Sequence, residues 1–263
     1  MAKVGLRVVV VAYLLMLLVL PVVVVVARTF EHGIAPVFQS LNTSAAMHAF
    51  QITAVVTFYA VLANTLFGVT AAILLVRYRF PGKRFLNALI DLPLAVSPVI
   101  VGLALVLVYG RTTGTGKALA SIGISIIFSI PGMVMATVFV CIPLVVRAVA
   151  PVLVEIGDDQ EQAASTLGAS SLQTFRRITL PAIRGALAYG VVLALARSLG
   201  EYGAIAVVSG RLVGRTQTVT LFVQERYQNF DQQAAYAAAL VLVLTAVIAL
   251  LVSRALRPKE LAR

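Results

Sequence analysis

The chain has 263 residues, 60% of them hydrophobic and 12% charged, with a formal net charge of +11 and a mean hydropathy of +1.00. A soluble globular domain is nearer half apolar and a quarter charged, so the composition excludes a soluble enzyme and indicates an integral membrane protein. The basic excess would suit nucleic acid, but its placement along the chain fits membrane topology instead.

Six apolar stretches are long enough for a hydrocarbon core of about 30 Å. They run approximately over 8–27, 52–76, 86–109, 130–150, 186–208 and 234–253. The first follows Lys3 and Arg7 as a signal peptide would. Its apolar run exceeds the usual signal core and no small-x-small cleavage site follows, so a retained span is expected. Pro93 and Pro98 fall inside the third stretch, where each removes a backbone donor. The lone Cys141 lies in the fourth and reads as a small packing residue. No Ser-, Pro- or Gly-rich linker and no useful internal repeat divides the chain. A single all-α membrane domain over 1–263 is expected, with a loop at 151–185.

Lys and Arg set the orientation. One set of connecting segments holds Lys3 and Arg7, then Arg77, Arg79, Lys83 and Arg84, then Arg147, Arg176, Arg177 and Arg184, and finally Arg254, Arg257, Lys259 and Arg263. The other holds Arg28, Arg111, Lys117, Arg211, Arg215 and Arg226. The asymmetry predicts that both termini, the 77–84 turn and the 151–185 loop are cytoplasmic.

Within that loop, Asp158-Asp-Gln-Glu161 and Ser170-Ser-Leu-Gln173 both read as capping boxes, in which an N-cap side chain and a residue three positions on satisfy each other's backbone N–H. The first helix is expected to stop at Gly168, in a left-handed C′ conformation. The second is expected to stop before Pro181. Two readings stay open on physics alone: an amphipathic pair lying on lipid, with Arg176 and Arg177 toward anionic headgroups, or a docking surface for a soluble partner. A DNA-reading helix-turn-helix is set aside, because membrane spans tether both ends and no second basic face is present.

The segment Gln162-Ala-Ala, three residues, Gly168, nine residues, Ile178, one residue, Leu180-Pro181 resembles the EAA motif of ABC importer permeases. The resemblance implies a type I permease fold, and it implies that Glu161, Gln162, Ala163, Ala164, Gly168, Ile178, Leu180 and Pro181 form the coupling element for a cytoplasmic ATPase. The motif's Glu is Gln162 here, with an acid one position earlier at Glu161, so either residue could supply the contact. Leu92-Pro-Leu-Ala-Val-Ser-Pro98, the stretch Phe128–Arg147 and the stretch Tyr189–Gly210 are similar to the oxyanion branch of the family, which handles sulfate, thiosulfate and molybdate. Together these segments cover most of 85–210.

The family likeness implies specific partners: two cytoplasmic ABC ATPase subunits, a second, non-identical (CysT-like) permease, an extracytoplasmic sulfate-binding protein and membrane lipid, with no nucleic acid. It implies a bacterial inner-membrane location and no enzyme activity or cofactor of its own, ATP and Mg belonging to the partner ATPase. Sulfate or thiosulfate import by alternating access is the expected function. Molybdate or tungstate import on the same fold is the first alternative, and a secondary transporter or channel the second.

Arg197 lies about 18 Å into the fifth stretch at 1.5 Å per residue, and Glu201 four residues on shares its helical face. A charge at that depth is costly unless paired or wetted, so an Arg197–Glu201 pair is expected, serving either the pathway or the packing of the bundle. Pro93, Ser97, Pro98, Arg197, Gly200, Glu201 and Gly203 are the candidate pathway or gate residues. One arginine beside a carboxylate makes a poor oxyanion site, and no tight sulfate site is expected. Asp91 is shallow enough to reach water and reads as structural. Gly110-Arg-Thr-Thr-Gly-Thr-Gly116-Lys117-Ala118 has neither the spacing nor the hydroxyl of a P-loop and is expected to be a flexible external turn. His32 and His48 are too isolated for a metal pair, and no metal site is expected.

Overall fold

The computed structural model describes residues 2–256, and every regular element among them is helical. Arg257, Lys259 and Arg263 of the charge count lie outside the described residues, as does the side chain of Lys3. Among the described residues, five helices are long and apolar enough to cross a membrane, or six if one bent pair counts as a span.

α1 (Ala2–Leu14) and α2 (Leu20–Phe30) join through a π turn, Leu15–Val19, to give the first long helix. Its described side chains are mostly exposed, and Gln233 donates to the Thr29 carbonyl at 2.9 Å to hold it to the last helix. α3 (Ile34–Leu41) leads to α4 (Ser44–Arg77), where Thr43 caps the start by accepting from the Ala46 N–H.

The third stretch departs from the expected single crossing. It forms α5 (Lys83–Ala95) and α6 (Pro98–Tyr109), bent by 113° at Val96–Ser97. At 1.5 Å per residue each half is under about 20 Å long, too short for the hydrocarbon core. Pro98 explains the break: it disfavours helical geometry in the residue before it, and Val96 and Ser97 are both extended, with ψ of 135° and 133°. Pro98 then opens α6 from its first turn, where its missing N–H costs nothing.

The glycine-rich turn is also more ordered than expected. Gly114–Ser121 is helix α7, capped by the Thr113 hydroxyl, which accepts from the Gly116 N–H at 3.0 Å. A Cβ on Gly116 would sit 1.9 Å from the Gly110 carbonyl oxygen. Close packing therefore explains this glycine without any phosphate.

α8 (Ile130–Ile156), α9 (Asp159–Thr166), α10 (Ser171–Thr174) and α11 (Leu180–Leu199) follow. The second helix of the loop does not stop before Pro181. A π turn, Phe175–Thr179, carries it straight into α11. Pro181 removes a donor and would crowd the carbonyl four residues back. The wider turn relieves both problems, because the Leu180 N–H bonds Phe175, five residues back. Leu20-Pro21 in the first long helix uses the same device, with the Leu20 N–H on Leu15.

The fifth stretch is likewise interrupted. α11 ends at Gly200 and a six-residue helix, α12 (Gly203–Val208), follows. α13 (Val219–Gln228) and α14 (Gln232–Leu256) complete the chain.

The bundle is built on α4, α8 and α11. Helices in lipid gain little from hydrophobic burial against each other, so close van der Waals packing through small residues must hold them together. A Cβ on Gly68 of α4 would lie 2.6 Å from the Val145 side chain of α8. One on Gly190 of α11 would lie 2.9 Å from Ala148 and 3.1 Å from the Val145 backbone. α8 thus runs in a cleft with a glycine on each wall. α4 and α8 run the same way, since Gly68 meets Val145 and Arg77 reaches the end of α8 at Leu153 and Gly157.

Candidate functional site

The 158–181 loop is a fixed platform rather than an independent helix pair. Arg77, the last residue of α4, donates from Nε to Glu161 at 2.8 Å, from Nη1 to the Leu153 carbonyl at 2.9 Å and from Nη2 to the Gly157 carbonyl at 2.6 Å. The two carbonyls lie at the C-terminal end of α8, where carbonyls lack intrahelical partners and the helix dipole favours a cation. Glu161 also accepts from the Thr179 hydroxyl at 2.6 Å. Four pieces therefore meet at one node: the ends of α4 and α8, the first turn of α9, and the π turn before α11. The ion pair is largely buried, at 13% and 20% side-chain exposure.

This node rearranges the expected caps. The Asp158–Glu161 capping box does not form, and Asp158 has no side-chain cap hydrogen bond. Glu161 takes a guanidinium instead, because a charge-assisted pair outweighs one backbone N–H. The second box is present in both halves: Gln173 N–H to the Ser170 hydroxyl at 3.3 Å, and Ser170 N–H to the Gln173 side chain at 2.8 Å. Gly168 is left-handed, with φ of +81°. Ala169 N–H bonds the Ala164 carbonyl and Gly168 N–H the Ser165 carbonyl, both at 3.0 Å, which is the Schellman pattern.

Glu161 is thus committed within the chain, whereas Gln162 and Ala163 are exposed. Leu167 and Leu172 stand out at 88% and 65% exposure. With no acidic or basic side chain among them, these residues form an uncharged outer face on a rigid base. Proline at Gly168 cannot adopt φ of +81°, since its ring fixes φ near −65°, and it removes the N–H that bonds Ser165. Gly168→Pro is expected to cut transport at least about tenfold at normal membrane level, because the misfit costs about 3 kcal/mol locally. Uptake normalised to immunoblot signal checks it, and unchanged uptake would show that the turn is not needed.

The intramembrane candidates fall into two groups that pack together. Gly102 of α6 lies against α12: a Cβ there would sit 2.8 Å from the Ala204 carbonyl oxygen and 2.9 Å from Val207. A Cβ on Gly203 would meet Pro98 at 3.2 Å and Val99 at 3.3 Å. The Pro93–Pro98 and Gly200–Gly203 regions, more than a hundred positions apart in sequence, thus share one contact between two broken helices. Gly200 itself is not tight, with no atom nearer than 3.9 Å to an added Cβ. Pro93 is buried and Ser97 lies at the break without a side-chain cap bond.

Arg197 and Glu201 pair at 3.0 Å, with the Glu201 side chain 1% exposed and the Arg197 side chain 43%. Glu201 lies beyond the end of α11 and caps α12, accepting the Ala204 N–H at 2.9 Å. Asp91, read as structural, binds Arg147 of α8, whose Nε donates at 2.7 Å. Arg147 also donates to the Asn87 side chain at 2.9 Å. Sequence reasoning missed the Arg77–Glu161 and Arg147–Asp91 pairs. The only signal for either was a basic residue near a span end.

The family described as binding-protein-dependent transport system inner membrane component matches residues 64–260. The chain belongs to that family. This permease is 45% identical over 247 residues to the sulfate transport system permease protein CysW of a Synechocystis species, covering 94% of the chain and 90% of that relative. It is 42% identical over 234 residues to CysW of Escherichia coli, covering 89% and 80%. It is 36% identical over 238 residues to the sulfate transport system permease protein CysT of Salmonella typhimurium, covering 90% and 86%. Among solved structures, a bacterial alginate ABC transporter bound to its periplasmic protein superposes with a TM-score of 0.76 at 18% identity, covering 97% of the permease and 92% of that chain. The permease therefore has the type I ABC importer fold, and it is a transport component rather than an enzyme.

Proposed function

We propose that this permease carries sulfate or thiosulfate inward as one of two membrane subunits of an ATP-driven importer. The observation that carries the reading is CysW likeness of 42–46% over 88–94% of the chain. The CysT relatives supply the kind of second, non-identical permease that would complete the pathway. Lys/Arg asymmetry supports a cytoplasmic 151–185 loop and cytoplasmic termini.

On this reading the exposed face at Gln162, Ala163, Leu167 and Leu172, with half-buried Ala164 beside it, seats in a cytoplasmic ATPase, which holds the ATP and Mg. Glu161 does not reach out to that partner. It locks the seat to α4 and α8, so a pull on α9 moves two spans at once. Ile178, Leu180 and Pro181 continue the same lever into α11 without a hinge. The opposite ends of the spans meet an extracytoplasmic binding protein, and the α6–α12 contact is the gate that rocking opens.

The test is uptake by proteoliposomes containing the full complex and its loaded binding protein. Sulfate uptake that requires ATP and is competed by thiosulfate more strongly than by molybdate is expected. Preference for molybdate would replace the substrate reading. Uptake that persists without the ATPase and follows an ion gradient would replace the mechanism.

A further inference from the structure

Arg147 lines a groove between α5, α8 and α11, and Arg197 stands farther along α11. A cavity of about 290 Å³ is lined by Leu94 of α5, by Pro143, Leu144 and Arg147 of α8, and by Tyr189 and Leu193 of α11. Arg197 lies one turn beyond Leu193 on the same face, since residues four apart on a helix are neighbours. From Tyr189, beside Arg147, to Arg197 the helix rises about 12 Å.

Both arginine side chains are partly exposed, 39% for Arg147 and 43% for Arg197, and each has its own carboxylate. Arg147 uses Nε and Nη2 for Asp91 and Asn87, and its Nη1 has no acceptor among the described residues. Arg197 meets Glu201 through Nη1, and its Nε and Nη2 have none among the described residues.

We propose that Arg197 and Arg147 are two successive low-affinity stations for a tetrahedral divalent oxyanion moving along this face of α11. This rests on reading the chain as an oxyanion permease. A planar guanidinium offers paired donors that suit such an anion. An unpaired arginine in a low-dielectric channel would hold a dianion too tightly to release it. A carboxylate partner brings the net charge of each station to zero and leaves free N–H donors, which is attraction enough to admit the anion and too little to trap it. Glu201 cannot follow the anion, because burial and the Ala204 N–H fix it.

The experiment uses the complete transporter in proteoliposomes and measures radiolabelled sulfate uptake beside ATP hydrolysis stimulated by loaded binding protein. Arg197→Gln and Arg147→Gln are each expected to lower sulfate uptake about tenfold, the loss of one or two charge-assisted hydrogen bonds, while stimulated hydrolysis stays within about twofold because the ATPase seat is untouched. Lysine at either position keeps the charge without the fork and should give intermediate uptake. Asp91→Asn, at an exposed carboxylate, should unmask Arg147, so that the complex retains labelled sulfate and uptake slows. Uptake and hydrolysis falling in parallel, as expected if the arginines only hold the permeases together, would overturn the proposal. Unchanged uptake in both glutamine variants would also overturn it. A wild-type complex that imports molybdate instead, with the same arginine dependence, corrects the substrate and keeps the stations. A wild-type complex that imports no oxyanion sinks both readings.

Discussion

Replacing Glu161 with lysine is expected to abolish ATP-driven uptake while the permease still inserts and ATP hydrolysis continues. Arg77 holds Glu161 at 2.8 Å and two terminal carbonyls of α8 at 2.9 and 2.6 Å. A lysine ammonium would face that guanidinium in a site where both partners are largely buried. Breaking a buried pair costs about 3–5 kcal/mol, and the partial exposure here places the cost near the lower end. The cost is local: the spans keep their packing, but α9 loses its tie to α4, to α8 and to Thr179. Force applied to the loop would then move the loop alone. Glu161→Gln retains an oxygen for the Thr179 hydroxyl and should show a partial defect. Gln162→Ala, on the exposed face, should weaken ATPase attachment and leave the uptake-to-hydrolysis ratio of assembled complexes intact. The measurement is sulfate imported per ATP hydrolysed, and a normal ratio in Glu161→Lys would refute the brace.

Valine at Gly102 is expected to lower uptake at least about tenfold by prying α6 from α12. The nearest groups are the backbone oxygen of Ala204 at 2.8 Å and Val207 at 2.9 Å from the first added carbon. A backbone oxygen cannot rotate away, so the two short helices must separate. Overpacking costs about 1–3 kcal/mol, and here it falls on the contact proposed to open and close. Gly185→Ala is the matched control: it lies in α11 with no atom within 4 Å of an added Cβ and should leave uptake normal. Equal uptake in both variants would remove α6–α12 from the gate.

Local signals in the sequence were strong where one residue's conformation or two near neighbours decided the outcome. Gly168 took the left-handed turn that ends α9, and the Ser170–Gln173 box formed as its spacing required. The Arg197–Glu201 pair formed at the predicted four-residue separation, although Glu201 sits past the helix end. Signals failed where a distant group competed. The Asp158–Glu161 box met every local criterion and lost Glu161 to Arg77, 84 positions away. Pro181 looked like a stop, but a π turn absorbed its missing donor and kept the helix continuous. Prolines marked the third stretch as weak, but hydropathy has no way to report a 113° bend.

The amino-acid sequence by itself determined that this is a helical membrane protein with a structured polar loop and an EAA-like spacing, because hydropathy, capping and turn geometry act over a few residues. Only the tertiary structure decided what holds that loop, which glycines touch, and which carboxylates Arg77 and Arg147 reach. Those are meetings of groups between 56 and 84 positions apart at Arg147–Asp91 and Arg77–Glu161, or between separate helices at Gly102–Ala204 and Gly190–Val145. Their partners are chosen by how the helices pack, and no periodicity along the chain encodes that choice.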